Sequence, residues 1–559
     1  MGRRVSKFIT LLLILIATFG GTVSAFAAPS SRPAEGTLTI HKHYAEDASE
    51  IGGEGDGNEK IVTNPAVEGV HFNVYKLTAE NDAPKIPPSE KEGAVYRKIS
   101  DTKLEIKYNS NTYTYTMALL LDSGKTASDG ILKFTNLNGY YYVEEDLSQS
   151  NPTINGTQVD ITVPVKPFIV SVPMTNAKGD GWIEDVHVYP KNQGTTPTKT
   201  VGETGEVNIV EGSTGNSVNV GDSFPFTIRT NIPADINDNL ASDPDTKKYS
   251  KFELWDAFDS ALTYNNDVGI YVYKKVADGK WSRQKITPDD SSLYVINYTA
   301  PKLTVSFTEA GRTKLAELMN SADKWTHVGL TFTATVNENI HAKVNNTVEN
   351  KATVTFENEG GTGTDKNKET PPTKTNTGDI DIKKTNRDGT IENLKGAEFQ
   401  IASSAANAEA GNYLKVLVDG GKITKILPHD TTDTNAKNWV IRPHETDSGK
   451  LGVIGNGNTF YATRFEGLQT EGGNPVTKNK YYIFETKAPE GYNLLDKVVE
   501  IDFTNEDTNT HVVEKTIENS KGFTLPNTGG IGTMLLVVVG IVLIGLAVIL
   551  TMNKNKKNA

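Results

Sequence analysis

Alternation with a period of two runs through most of this chain. In "VHFNVYKL" Val70, Phe72 and Val74 fall on one face, and in "KATVTFEN" Ala352, Val354 and Phe356 do the same; apolar residues at every second position line one side of a strand. "ITVPVKPFIVSVPM" and "KTIEN" also read as strands. Gly, Asn and Asp turns separate these short runs, which predicts β-sandwiches. One stretch follows a helical period instead: "TEAGRTKLAELMN", 308 to 320, puts Leu315 and Leu318 on one side and predicts a short crossover helix inside a β-domain. Two polar stretches rich in Gly, Pro and Thr, "KNQGTTPTKTVGETGE" and "ENEGGTGTDKNKETPPTKTNTGD", read as inter-domain connections. They divide the body into 28–191, 192–372 and 373–521, an all-β chain of three tandem Ig-like sandwiches.

The two ends break the pattern. Arg3, Arg4 and Lys7 precede "FITLLLILIATF", an apolar run too short for a comfortable membrane span, and Ala25-Phe26-Ala27 offers small residues for cleavage, so 1–27 reads as a secretory signal peptide. Near the other end "GIGTMLLVVVGIVLIGLAVILTM" is about one bilayer thickness of helix, predicting a transmembrane span at 531–552. The tail at 553–559 carries Lys554, Lys556 and Lys557 and belongs on the cytoplasmic side, so everything between faces outward.

Charge and composition narrow the function. A net charge of −12 argues against a nucleic-acid surface. The chain has no cysteine, although an exported protein is free to use disulfides; any covalent reinforcement must come from other chemistry. His41 and His43 share a strand face but lack a third ligand, and "EGDGNE" at 54 to 59 lacks the twelve-residue calcium-loop pattern. With no phosphate loop, serine elbow or zinc motif in view, we expect neither cofactor nor metal, and no enzyme.

Two motifs define a resemblance. "LPNTGG" contains Leu525, Pro526, Asn527, Thr528 and Gly529 and matches the Leu-Pro-x-Thr-Gly cell-wall sorting signal of Gram-positive bacteria, which a sortase cleaves after the threonine. "WIEDVHVYPK" is similar to the pilin motif of sortase-assembled pilus shafts, with Trp182, Val186, Val188, Tyr189, Pro190 and Lys191 all matching. The whole chain resembles a three-domain major (shaft) pilin of the SpaA type. That resemblance implies that a class C pilus sortase joins Lys191 of one identical subunit to Thr528 of another. It implies a housekeeping sortase that attaches the fibre to peptidoglycan, minor tip and basal pilins as partners, and a role in surface attachment through a host receptor. Val186 and Val188 should pin the motif strand inward, and Pro190 should fix φ, leaving the Lys191 ammonium held out on a stiff mount. A monomeric wall-anchored adhesin would share the folds and the sorting signal but has no need of the lysine motif; a minor or basal pilin is a further rival.

The same resemblance supplies internal chemistry. "YIFETKAPEGYNLL" is similar to the pilin E-box, "IDIKKTNRDGTIENLKGAEFQI" to the first-strand region of collagen-adhesin B-type domains, and "EKTIENSKG" to their last strand. These imply a self-formed isopeptide bond between Lys384 and Asn519 promoted by Glu485. Lys383 is the competitor, but Lys384 follows Ile380 and Ile382 on the inward parity. In the middle domain "FELWDAFDSALTY" and "NTVENKATVTFEN" resemble collagen-adhesin A-type segments and imply Lys199, Asp256 and Asn350, with Asn358 the runner-up; Ala-Phe and Ser-Ala stand where that family has Leu and Gly. For the first domain Lys42 and either Glu144 or Glu145 are pieces of such a group, but no asparagine presents itself, and the domain reads as unbridged.

Overall fold

The computed structural model describes residues 31–523 and 532–556, apart from 52, 54, 122, 241–242, 244, 277–278, 288–290, 392, 446–456 and 474–475. The expected signal peptide and the sorting signal, Leu525 to Gly529, lie outside the described residues. Two compact units divide the chain, one of residues 1–343 with 347–376, the other of 344–346 with 377–559.

The first half of unit one is built from β1 (Gly36–His41), β2 (His43–Ala45), β3 (His71–Ala79), β4 (Ile131–Leu137), β5 (Gly139–Asp146), β6 (Phe168–Val172), β7 (Asp185–Val188) and β8 (Lys191–Gln193). β1 is the centre of a three-stranded sheet, parallel to β7 and antiparallel to β4. It faces a larger sheet in which β3, β5 and β6 are neighbours. Leu38, Ile40, Phe72, Val74, Phe134, Tyr141, Val143 and Val186 fill the space between the sheets. Strand parity then dictates an unusual step. Leu38 and Ile40 point inward, so Lys42 points inward too and is fully buried. On β7 and β8 the even positions do the same: Val186, Pro190 and Asn192 are buried and Val188 is half-buried. β2 and β8 pair in parallel, with Lys191 opposite His43 and Asn192 opposite Tyr44.

The second half of unit one contains β9 (Thr198–Val201), β10 (Ser223–Asn231), β11 (Lys251–Ala257), α1 (Glu309–Asn320), β12 (His327–Val336), β13 (Thr347–Asn350) and β14 (Ala352–Glu357). β9, β10 and β12 are consecutive in one sheet, and β11 and β14 are neighbours in another. Ala352, Val354 and Phe356 are all buried, and so are the intervening Thr353, Thr355 and Glu357, so both faces of β14 are covered. Thr308 caps α1, its hydroxyl accepting from Gly311 N at 3.0 Å. Leu315 and Met319, four residues apart, form its inner face, while Leu318 is only half-buried at the flank. The first and second halves meet without a break at 191: Gln193 Nε2 donates to Ile232 O at 3.1 Å and Ala234 N to Gln193 Oε1 at 2.9 Å.

Unit two carries β15 (Gly378–Asn386), β16 (Glu398–Ala402), β17 (Arg464–Leu468), β18 (Lys480–Lys487), β19 (Val512–Asn519) and α2 (Gly532–Lys556). β15 lies between antiparallel β17 and parallel β19, and β16 pairs with β18 in the second sheet. Ile380, Ile382, Phe399, Ile401, Phe465, Ile483, Val513 and Ile517 are buried. Within α2, residues Met534–Lys554 are long and apolar enough to cross a membrane.

Candidate functional site

Each of the three β-domains buries a lysine, a carboxylic acid and an asparagine together. In unit two, Lys384 continues the inward parity of Ile380 and Ile382 and is fully buried; Lys383 is half-exposed. Lys384 stands opposite Ile517 in the parallel β15–β19 pair, which puts Asn519, two residues on, at the next position of the same face. Asn519 Nδ2 donates to both oxygens of Glu485, at 3.0 and 2.9 Å, and to Asn493 O at 2.9 Å. Leu495 N donates to Glu485 Oε2 at 2.9 Å and fixes the carboxyl group. The Lys384 amine finds only backbone carbonyls, Ile517 O at 3.0 Å and Thr385 O at 3.3 Å. Burial lowers its pKa to about 8 against the opposing pull of Glu485 and Glu518.

In the second half of unit one, Lys199 from β9, Asp256 from β11 and Asn350 from β13 converge, all buried. Lys199 Nζ donates to Asp256 Oδ2 and lies 4.7 Å from the centre of the Phe226 ring. Asn350 Nδ2 donates to the same oxygen at 3.4 Å. Desolvation pushes the lysine down and the aspartic acid up, each opposed by its partner's charge. Neither side chain reaches solvent, and a neutral amine beside a neutral acid avoids burying two charges. Two buried acceptors, Asp256 Oδ1 and Asn350 Oδ1, have no hydrogen-bond partner among the described residues, and neither does Asn519 Oδ1 in unit two. Asn358, the runner-up, lies elsewhere: its Nδ2 donates to Thr162 O at 3.3 Å and its Oδ1 accepts from Lys366 at 2.8 Å.

The first domain holds a third group that sequence reasoning did not complete. Lys42 Nζ donates to Asn192 Oδ1 and lies 3.1 Å from Glu145 Oε2. Asn192 Nδ2 donates to Glu145 Oε1 at 2.5 Å. The side chains of Lys42 and Glu145 are wholly excluded from solvent, as is Asn192, and burial again lowers the lysine against the pull of Glu145. Glu144 points the other way and pairs with Lys98 at 2.7 Å. The missing asparagine immediately follows the lysine motif. Reading the domain as ending at Lys191 cut it off, although the inward parity of Val186, Val188 and Pro190 runs on to it.

Lys191 itself faces the opposite side of β8 from Asn192. It does not stand free, as the motif led us to expect. Its side chain is half-buried and its Nζ donates to Glu50 O at 2.6 Å, a carbonyl 141 residues upstream. Thr528 lies outside the described residues. Among those described, no three His, Cys, Asp or Glu side chains are arranged to hold a metal ion.

An all-β body, a strand carrying the lysine motif and a membrane-length helix behind the sorting signal fit a wall-anchored surface protein of the pilin type. Comparison with known proteins gives the same class. Residues 33–193 match the Gram-positive pilin subunit D1, N-terminal domain, and residues 517–559 match the LPXTG cell wall anchor motif. Fimbrial subunit type 2 of Actinomyces naeslundii is 26% identical over 573 aligned residues, covering 98% of this chain and 95% of the relative. Fimbrial subunit type 1 of Actinomyces viscosus is 25% identical over 548, covering 93% and 90%. The full-length major pilin SpaD of Corynebacterium diphtheriae aligns with 88% of this chain and 98% of its own at 23% identity and a TM-score of 0.45. The pilin-domain match, the cell wall anchor match and the fimbrial relatives together support a cell-wall-anchored pilus subunit.

Proposed function

We propose that this chain is the repeating shaft subunit of a covalent pilus. A class C sortase cleaves between Thr528 and Gly529 and holds the threonine carbonyl as a thioester. The neutral amine of Lys191 from another copy attacks that carbonyl, the cysteine thiol leaves, and an amide joins the subunits. A housekeeping sortase then transfers the finished fibre to peptidoglycan. The observation that carries this reading is the segment from Trp182 to Lys191, which lies at the end of the matched pilin domain and sets Lys191 on the face of β8 opposite buried Asn192, its amine held by Glu50 O. A monomeric adhesin has no use for that lysine. Co-expression of the full chain with a class C sortase should give a ladder of multimers that survives boiling in detergent. Lys191→Arg should abolish the ladder; a ladder unchanged in that variant would overturn the acceptor assignment.

Within each subunit, the buried groups fit a self-reaction with one turnover. A buried lysine is partly neutral and nucleophilic, and a buried acid is readily protonated. Once protonated, Asp256 could donate from the unpartnered Oδ1 to the unpartnered Asn350 Oδ1 and polarise the carboxamide. The Lys199 amine attacks the carboxamide carbon, ammonia leaves, and a secondary amide remains. Lys384 and Asn519 beside Glu485, and Lys42 and Asn192 beside Glu145, are the same lysine–acid–asparagine set and fit the same loss of ammonia. Intact mass measures the reaction directly, because each bond removes one ammonia.

A further inference from the structure

The strand face opposite Lys42 and Asn192 carries four aromatic rings in one stack. Odd positions of β1 and β2 place His41 and His43 outward, and odd positions of the motif place His187, Tyr189 and Lys191 beside them. His187 and His41 stack with centroids 5.2 Å apart, His41 and Tyr189 at 4.6 Å and 13°, and Tyr189 and His43 at 6.3 Å and 20°. His41 Nε2 and His187 Nδ1 share one hydrogen bond of 2.9 Å. His43 and Tyr189 are each tied to backbone. His43 N donates to Pro190 O at 3.1 Å, His43 Nδ1 to Asn64 O at 2.9 Å, and the Tyr189 hydroxyl accepts from Lys60 N at 2.5 Å.

We infer that this His187–His41–Tyr189–His43 stack is an acid-released clamp that sets where the Lys191 ammonium stands, making His41, His187 and Tyr189 positioning residues for acylation of Lys191. The inference rests on Lys191 being the acceptor. An N–H···N bond between two imidazoles needs one proton between the rings and tolerates one extra proton on an outer nitrogen. A second extra proton leaves two N–H groups facing each other at 2.9 Å, and the rings must part. Tyr189 then loses its stacking partner, two residues before Lys191. The charged surroundings favour release. Lys191 on β8 opposes a charge on His43, as does Lys42 while its amine is free, against the backbone hydrogen bonds of Asn64 and Pro65 that favour it; His187 and His43 oppose a charge on His41, which Glu59 and Asp129 favour. Burial is the largest cause holding both His41 and His43 below the ordinary histidine pKa. The closed clamp therefore prefers neutral rings: it is intact above about pH 6.5 and loosens as pH falls through the lowered values.

Hydrogen exchange of the full chain in detergent tests this without any sortase. With intrinsic rates corrected, protection of residues 185–193 should fall as pH drops below about 6.5, by about tenfold per pH unit for each proton taken up on opening. β3, residues 71–79, serves as the internal reference. His41→Phe keeps a ring on Tyr189 but cannot titrate, and should hold its protection throughout. If that variant does not fold, His187→Asn, whose amide replaces Nδ1, takes its place. Undiminished protection in the wild type, or an equal fall in the non-titrating variant, overturns the clamp. A second arm measures Lys191 acylation by a class C sortase, with the wild-type rate divided by the His41→Phe rate at each pH. A ratio that falls in acid supports the inference, and a flat ratio refutes it. Polymer formed by Lys191→Arg would instead refute the acceptor reading and leave the exchange result standing by itself.

Discussion

The group formed by Lys42, Glu145 and Asn192 makes the sharpest prediction. Asn192→Ala removes the only carboxamide within reach of Lys42 Nζ among the described residues, so the proposed bond cannot form. The closed loop would span 150 residues; a crosslink of that span restricts the unfolded chain by about 5 kcal/mol on the chain-entropy model. For a domain of this size each kcal/mol moves the melting point by about 2–4 °C, so the first domain should melt roughly 10–20 °C lower. Hydrogen bonds lost with the Asn192 side chain account for only about 1–3 kcal/mol of destabilisation. Lys42→Met removes the same crosslink from the other side, taking away the nucleophile, keeping the Asn192 side chain and leaving an apolar chain of similar volume beside Glu145. Both variants should lower the first-domain transition by at least the crosslink's share in scanning calorimetry. Intact mass should show the wild type short of its sequence mass by three ammonia and each variant by two. A wild type short by only two, or a shift in Asn192→Ala no larger than its hydrogen bonds explain, would refute the assignment.

The other groups predict in parallel. Asp256→Ala and Glu485→Ala should each restore one ammonia to the intact mass and leave the corresponding domain open to trypsin, since the acid is needed to polarise the carboxamide. In freshly refolded chain the neutral fraction of the Lys384 amine rises about tenfold per pH unit below pH 8 and levels off above it, because burial lowers its pKa to about 8. The rate of Lys384–Asn519 bond formation, read by quenched-flow mass spectrometry, should follow that fraction for as long as the acid keeps its proton; a rate still rising with acidity once the acid is fully protonated would exclude the amine as nucleophile. At Gly378 a methyl group would meet Thr470 Cγ2 at 2.4 Å and Phe503 Cε1 at 2.5 Å. Gly378→Ala should therefore destabilise unit two by about 1–3 kcal/mol in denaturant unfolding, through overpacking at the start of β15.

Much of this arrangement was legible because strand parity is rigid. Ile380 and Ile382 point Lys384 inward with no further information. The same parity would have found Asn192, two positions beyond Pro190, had the lysine motif not been taken for the end of a domain. What parity cannot supply is the partner from far along the chain. Asn350 and Asn358 are both buried asparagines at the end of the middle domain, and only the fold puts Asp256 beside one and Thr162 beside the other. The Glu50 carbonyl that holds Lys191, and the closeness of His187 to His41, likewise depend on a parallel pairing of segments more than 140 residues apart.

The position of the three groups along the chain gives them different mechanical work in the proposed polymer. Tension enters at Lys191 and leaves at Thr528. With the bonds formed, the shortest covalent route runs from 191 to 199, across to 350, on to 384, across to 519 and out to 528. The folded segments 200–349 and 385–518 then carry no tension, and cannot lengthen the fibre by unfolding. Lys42 and Asn192 do not fit that scheme. Asn192 is on the route, but the bond leads away from it into the first domain, which has no other attachment to the pulling points. A bond there cannot shield a domain from tension; it secures the strand that carries Lys191 against the body of its own domain. Pulling single fibres separates the two roles. Asn350→Ala frees the 150 residues from 200 to 349 (349 − 199), and should add steps of roughly 500 Å at about 3.4 Å per residue. Asn192→Ala should add no step, while costing the first domain its heat and protease resistance. Extension steps of equal length in both variants would refute this division.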